Sequence, residues 1–136
     1  MILFMIIFMI IFMILLYNNF YNYYIMKITK LVIVHLFHIL FVGGLFLYLG
    51  ITRNACPTWL YTALIFLGIG IIIAHGLKLL SNPRSIISWF HVLLVAPLVI
   101  YIGYKNNQTG LLFYKLIFLE GILAICYHSY ALYNNM

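Results

Sequence analysis

Four apolar runs long enough to cross a membrane, approximately residues 30 to 51, 58 to 80, 86 to 104 and 111 to 133, follow one another with only short polar turns between them. About 20 predominantly apolar residues in an α-helix span the ~30 Å hydrocarbon core of a bilayer. The helix is forced there because every backbone N–H and C=O must be paired within the segment. The turns are Thr52-Arg53-Asn54-Ala55-Cys56-Pro57, Ser81-Asn82-Pro83-Arg84-Ser85 and Lys105-Asn106-Asn107-Gln108-Thr109-Gly110, rich in residues that end helices. Turns this short make successive helices antiparallel neighbours. The alternating segments of ~10 residues that a membrane β-barrel needs are absent. The predicted fold is therefore an all-α integral membrane protein, a four-helix transmembrane bundle.

Composition closes the soluble alternatives. Of 136 residues 68% are hydrophobic and 6% charged, against ~25% charged in a soluble domain. Glu120 is the only acidic residue. The basic residues Lys27, Lys30, Arg53, Lys78, Arg84, Lys105 and Lys115 lie singly or in pairs beside apolar stretches. Spread this thinly they make no nucleic-acid patch, and they read as membrane-flank residues. The expected partner is the lipid bilayer, with a homo-oligomer as a further option and no nucleic acid. No nucleotide loop, Ser-His-Asp set or carboxylate pair is found, so a non-enzymatic protein is expected. Cys56 and Cys126 fall at opposite depths, about 24 Å apart along the helix at 1.5 Å per residue, and are not disulfide partners.

An internal repeat organises the bundle. Sliding the chain by 53 positions aligns Phe37 to Leu79 with Phe90 to Leu132 without a gap, and 14 of the 43 pairs are identical, where chance gives about four. The identities include His38 with His91, Tyr48 with Tyr101, Gly50 with Gly103, Asn54 with Asn107, Tyr61 with Tyr114, Gly68 with Gly121 and His75 with His128. Each copy is one helical hairpin, repeat one over about 30–80 and repeat two over about 86–133. Two-span units enter the membrane in the same sense, which predicts parallel repeats about an axis along the membrane normal. Tyr61, Gly68, Ile72, His75 and Leu79 form one helical stripe, matched by Tyr114, Gly121, Ile125, His128 and Leu132, and this face is expected to point inward. Gly68 and Gly121, with Gly43, Gly44 and Ala96, supply the small residues that let membrane helices approach closely.

Residues 1–25 stand outside the repeat. The run MILFMIIFMIIFMILLY is a low-complexity apolar segment followed by a Tyr/Asn-rich stretch. It reads as an anchor of marginal spanning length, a signal-like core lacking a basic start and a small-residue cleavage site, or an upstream extension. Met26 opens MKITKLVIVHLFH, a start in its own right, and residues 26–136 hold the four-span bundle.

The pattern FHxLxVxxLxxYxG, a short loop, then YxxxxxxG and a His one heptad later, used twice between Phe37 and Tyr133, resembles small tandem-hairpin membrane proteins of large nucleocytoplasmic DNA viruses of algae and protists. The resemblance implies the fold and a viral origin; the expected residence is a host internal membrane or the virion membrane. The resemblance carries over no functional residue.

The polar residues inside the spans are the candidate site. His38 and His91 open their spans and His75 and His128 close theirs, so an up-down-up-down bundle puts all four at one depth, with His35 about 60° round the helix from His38. Polar groups in spans are costly and usually face the bundle interior. Three readings of this histidine layer stand side by side. Each imidazole bonds a neighbouring tyrosine or carbonyl in a structural role; the layer holds a transition metal or one haem b; or it moves protons in a small proton or ion channel. Glu120, near the midplane and aligned with Leu67, is the candidate intramembrane acid. Pro97, aligned with Gly44, frees the carbonyl of Leu93 and predicts a kink near His91. Counting Lys27, Lys30, Lys78 and Arg84 on the histidine end against Arg53 and Lys105 on the other places the histidine end in the cytosol. The opposite loops then face the lumen or exterior, with the Asn107-Gln108-Thr109 sequon in a loop short for efficient glycosylation.

Overall fold

The computed structural model describes residues 23–135, and the side chains of residues 30–134. The expectations for residues 1–22 lie outside the described residues. The chain from Tyr23 is helical almost throughout: α1 (Tyr23–Phe37), a π-helical stretch His38–Gly43, α2 (Gly44–Thr52), α3 (Thr58–Ser81), α4 (Ile86–Phe90), a second π-helical stretch His91–Val95, α5 (Ala96–Lys105) and α6 (Leu111–Asn135). Two single 3-10 turns, Arg53–Ala55 and Asn106–Gln108, lie in the loops. These pieces join into four helices long and apolar enough to cross a membrane, Lys30–Ala55, Thr58–Ser81, Ile86–Gln108 and Leu111–Asn134, hereafter spans one to four.

The outer surface is apolar. Leu40, Phe66, Leu80, Ile86 and Tyr104 are among the large side chains that point away from the bundle. A belt of this size would aggregate in water and is stable against lipid tails. Inside, Phe46, Leu49, Leu64, Val99, Ile102 and Ile117 are fully buried and form an apolar core through the middle of the bundle.

The most extensive packing joins span two to span three and span one to span four. Glycines set both contacts. A Cβ on Gly68 would lie 3.1 Å from the Ala96 carbonyl oxygen and strike the Ile100 side chain, and a Cβ on Gly121 would lie 3.1 Å from the Gly43 carbonyl oxygen and 3.0 Å from the Leu47 nitrogen. Gly103 is tighter still, with the Tyr61 carbonyl oxygen 2.6 Å from the same position, and Gly50 lies against Phe118. Close backbone approach of this kind is what holds helices together in lipid, where the hydrophobic effect does not act between them. Two members of the expected inner faces do not follow. Gly44 has nothing within 4 Å of an added Cβ, and Ile72 is exposed, because the π-helical turn rotates Gly44 outward and Ile72 falls on the edge of its stripe.

At the end of the bundle away from the histidines the two 3-10 turns pack on each other. Arg53 and Asn106 carry positive φ, 53° and 56°, a conformation costly for residues other than glycine. The carbonyl of Arg53 accepts from the Cys56 N–H and from the Tyr61 hydroxyl; that of Asn106 accepts from the Thr109 N–H and the hydroxyls of Thr109 and Tyr114. Cys56 is buried beside the Thr52 hydroxyl and Cys126 is exposed, and both are free thiols. On the other end the Ser85 hydroxyl caps α4 by accepting from the Ser88 N–H, as N-cap serines do.

Candidate functional site

Histidines 35, 38, 75, 91 and 128 come together at one end of the bundle, contributed by all four spans. The rings of His75 and His91 stack with centroids 4.0 Å apart, and those of His38 and His128 at 4.2 Å. His38 and His91 meet edge to face at 6.4 Å and bring the two stacks into one layer.

Two of these rings are oriented by their own helices. The Nδ1–H of His38 donates to the Val34 carbonyl at 2.8 Å and that of His91 to the Ile87 carbonyl at 2.7 Å. A carbonyl can only accept, so Nδ1 carries a proton in both, and in the neutral ring the lone pair is on Nε2. This is the arrangement in which a backbone carbonyl fixes the tautomer and aim of a metal-ligating imidazole. Both histidines open a π-helical stretch, and the Ala96 N–H bonds the His91 carbonyl five residues back. π-Helical turns are rare and concentrate at functional sites. Pro97 explains one of them, since it leaves the Leu93 carbonyl without its helical donor. The predicted kink thus takes the form of a widened turn at His91–Val95. The stretch at His38–Gly43 forms with Gly44 in the corresponding place, so proline is not required for it.

The remaining histidines differ from each other. His35 and His128, both buried, share a hydrogen bond between their Nδ1 atoms at 2.8 Å. One ring donates and the other accepts. His75 has no such partner: its Nδ1 is the one buried side-chain nitrogen or oxygen among the described residues with no hydrogen bond. Leaving a buried polar atom unsatisfied costs about 1–3 kcal/mol, and such an atom calls for an explanation. His38, His75 and His91 each offer one nitrogen to a group in which all three lie within 4.8 Å of one another.

The other predicted site residues lie apart from this layer. Glu120 is a mostly buried residue at mid-depth, and its carboxyl is not one of the fully enclosed unpartnered groups among the described residues. Tyr61 and Tyr114 are buried at the opposite end, where their hydroxyls approach each other at 3.4 Å. Gly68 and Gly121 are packing residues, as their contacts above show. Histidine–carbonyl bonds were one of the sequence readings, and His38 and His91 make them; sequence reasoning missed the π-helical turns and the His35–His128 pair. Pro97 was the one local signal for any of them.

No family model, no curated protein and no solved structure matches this chain.

Proposed function

We propose that this is a non-enzymatic multi-pass membrane protein that binds a transition-metal ion through His38, His75 and His91. The observation that carries the reading is the group of three imidazole nitrogens, one each from His38, His75 and His91, within 4.8 Å of one another; that the His75 ring also keeps a fully enclosed Nδ1 without a hydrogen bond supports it. Metal-bound imidazole nitrogens lie ~2.0 Å from the ion and hence roughly 3.3–3.5 Å from each other. Closing from within 4.8 Å takes side-chain rotation of about an ångström, during which the His75–His91 stack opens. Soft or borderline ions that accept imidazole, copper, zinc or nickel, suit this donor set.

The alternatives have less support. A haem needs a flat slot between its two axial imidazoles, whereas these rings fill their layer by stacking on one another at 4.0 and 4.2 Å. Conduction through one bundle needs a polar path, and between the histidines and the tyrosine pair lie Phe46, Leu49, Leu64, Val99, Ile102 and Ile117.

The site goes with a bundle of two parallel repeats about an axis along the membrane normal. In support, Gly68 on Ala96 and Gly121 on Gly43 are the same contact displaced by 53 residues, as are Gly103 on Ile65 and Gly50 on Phe118. Tyr61 and Tyr114 meet across that axis. The viral reading rests on the sequence pattern from Phe37 to Tyr133 alone. Lys115, exposed near the loop end of span four, reduces the basic-residue margin for a cytosolic histidine end to four against three.

The test is metal content and affinity of the purified chain in detergent micelles after exposure to copper, zinc and nickel. One bound ion per chain is expected, with affinity falling at least tenfold on His38→Ala, His75→Ala or His91→Ala. A chain that retains no ion after desalting, with all three variants indistinguishable from it, overturns the proposal and returns the layer to a packing role.

A further inference from the structure

Resting on the metal reading above, we propose that the centre takes monovalent copper in three-nitrogen coordination, and that His35 sets this preference by holding His128 out of the ligand group.

The donor set is neutral. It contains three imidazoles, with no thiolate and no carboxylate among them. Glu120, the chain's only acid, precedes His128 by eight residues on α6, about 12 Å along the helix axis. Lys78, one turn after His75 on α3, adds positive charge on the same side. An ion bound there keeps nearly its full charge in a medium of low dielectric constant. The Born cost grows with the square of that charge, roughly fourfold from a monovalent to a divalent ion. Monovalent copper is satisfied by few ligands, whereas zinc seeks four in a tetrahedron.

A fourth ligand is close at hand and is withheld. The His128 ring stacks on His38 at 4.2 Å, yet the ligand group contains His38, His75 and His91 and not His128. In the sequence His128 aligns with His75 and His91 with His38, so two equivalent halves would supply four histidines. What differs is the partner. His35 engages Nδ1 of His128 at 2.8 Å and fixes the rotation of its ring. The residue aligned with His35 in the other half is Ser88, buried and bonded to Ser85, which leaves His75 Nδ1 unpartnered. One histidine in place of a serine therefore separates a three-nitrogen centre from a four-nitrogen one.

The experiment uses the full chain in micelles. Monovalent copper, kept reduced by excess ascorbate, is competed against a chromophoric copper chelator, and divalent zinc is competed in parallel against a zinc indicator. X-ray absorption reads the coordination number. Wild type is expected to bind copper with three nitrogen neighbours and at least about a hundredfold more tightly than zinc. His128→Ala is expected to leave copper affinity within about threefold. His35→Ser is expected to raise zinc affinity tenfold or more with a fourth nitrogen, a gain removed by adding His128→Ala. Zinc bound as tightly as copper by wild type overturns the metal preference while leaving the metal centre standing. Binding of neither ion overturns the metal reading itself. Four nitrogens on copper in wild type, or a fall above tenfold for His128→Ala, overturns the role of His35 even if His35→Ser does not fold.

Discussion

The hydroxyl oxygens of Tyr61 and Tyr114, 53 residues apart in the chain, lie 3.4 Å from each other and each also reaches a loop carbonyl, Arg53 and Asn106 respectively. This pair ties α3 to α6 and anchors the two strained loop residues at the end opposite the histidines. Tyr61→Phe and Tyr114→Phe should each lower unfolding stability in micelles by about 1 kcal/mol. Because the hydroxyls share one network, the double variant should lose less than the sum. Additive losses in the double-mutant cycle would show that each tyrosine serves only its own loop.

Glycines that look alike in the sequence should respond very differently to a methyl group. At Gly103 an added Cβ meets the Tyr61 carbonyl oxygen, while at Gly70 and Gly76 it meets nothing within 4 Å. Gly103→Ala should destabilise the bundle by about 1–3 kcal/mol, and Gly70→Ala and Gly76→Ala should be neutral or slightly stabilising, because alanine is the better helix former. Equal thermal shifts in all three variants would mean that spans two and three do not pack as closely as described.

Glu120 stands where the aligned position holds Leu67, and it is a mostly buried residue that sets a carboxyl among apolar side chains. Glu120→Leu should therefore raise the thermal midpoint, by the equivalent of about 1–3 kcal/mol, and leave metal affinity unchanged. A fall in stability would reveal a bond that the carboxyl makes in the bilayer.

Topology can be read from two engineered cysteines. With the histidine end in the cytosol, a membrane-impermeant thiol reagent should reach Asn54→Cys from the lumen or exterior and Asn82→Cys only from the cytosol, in a Cys126→Ser background. The reverse pattern would invert the orientation. The sequon at Asn107 should stay unmodified in either case. Thr109 is buried with its hydroxyl bonded to the Asn106 carbonyl, so Asn107→Gln should cause no change in electrophoretic mobility.

The number and placement of the helices were legible in the sequence, because a long apolar run that enters hydrocarbon has no stable alternative to a helix, and the four runs are helical in the structure. The depth of His38, His75, His91 and His128 followed from the same constraint, since residues at the start of one span and the end of the next must share a level. Side-chain pairing within that level is a matter of ångströms and ring rotation, which the 3.6-residue period does not encode. Only the tertiary structure therefore separates His75, with its unsatisfied nitrogen, from His128, bonded to His35. The π-helical turns belong to the same class. They shift the register of the helix within a span whose hydropathy is unchanged, so a pattern built on hydropathy passes over them, and the packing of spans one and three against their neighbours decides where Gly43 and Gly44 point.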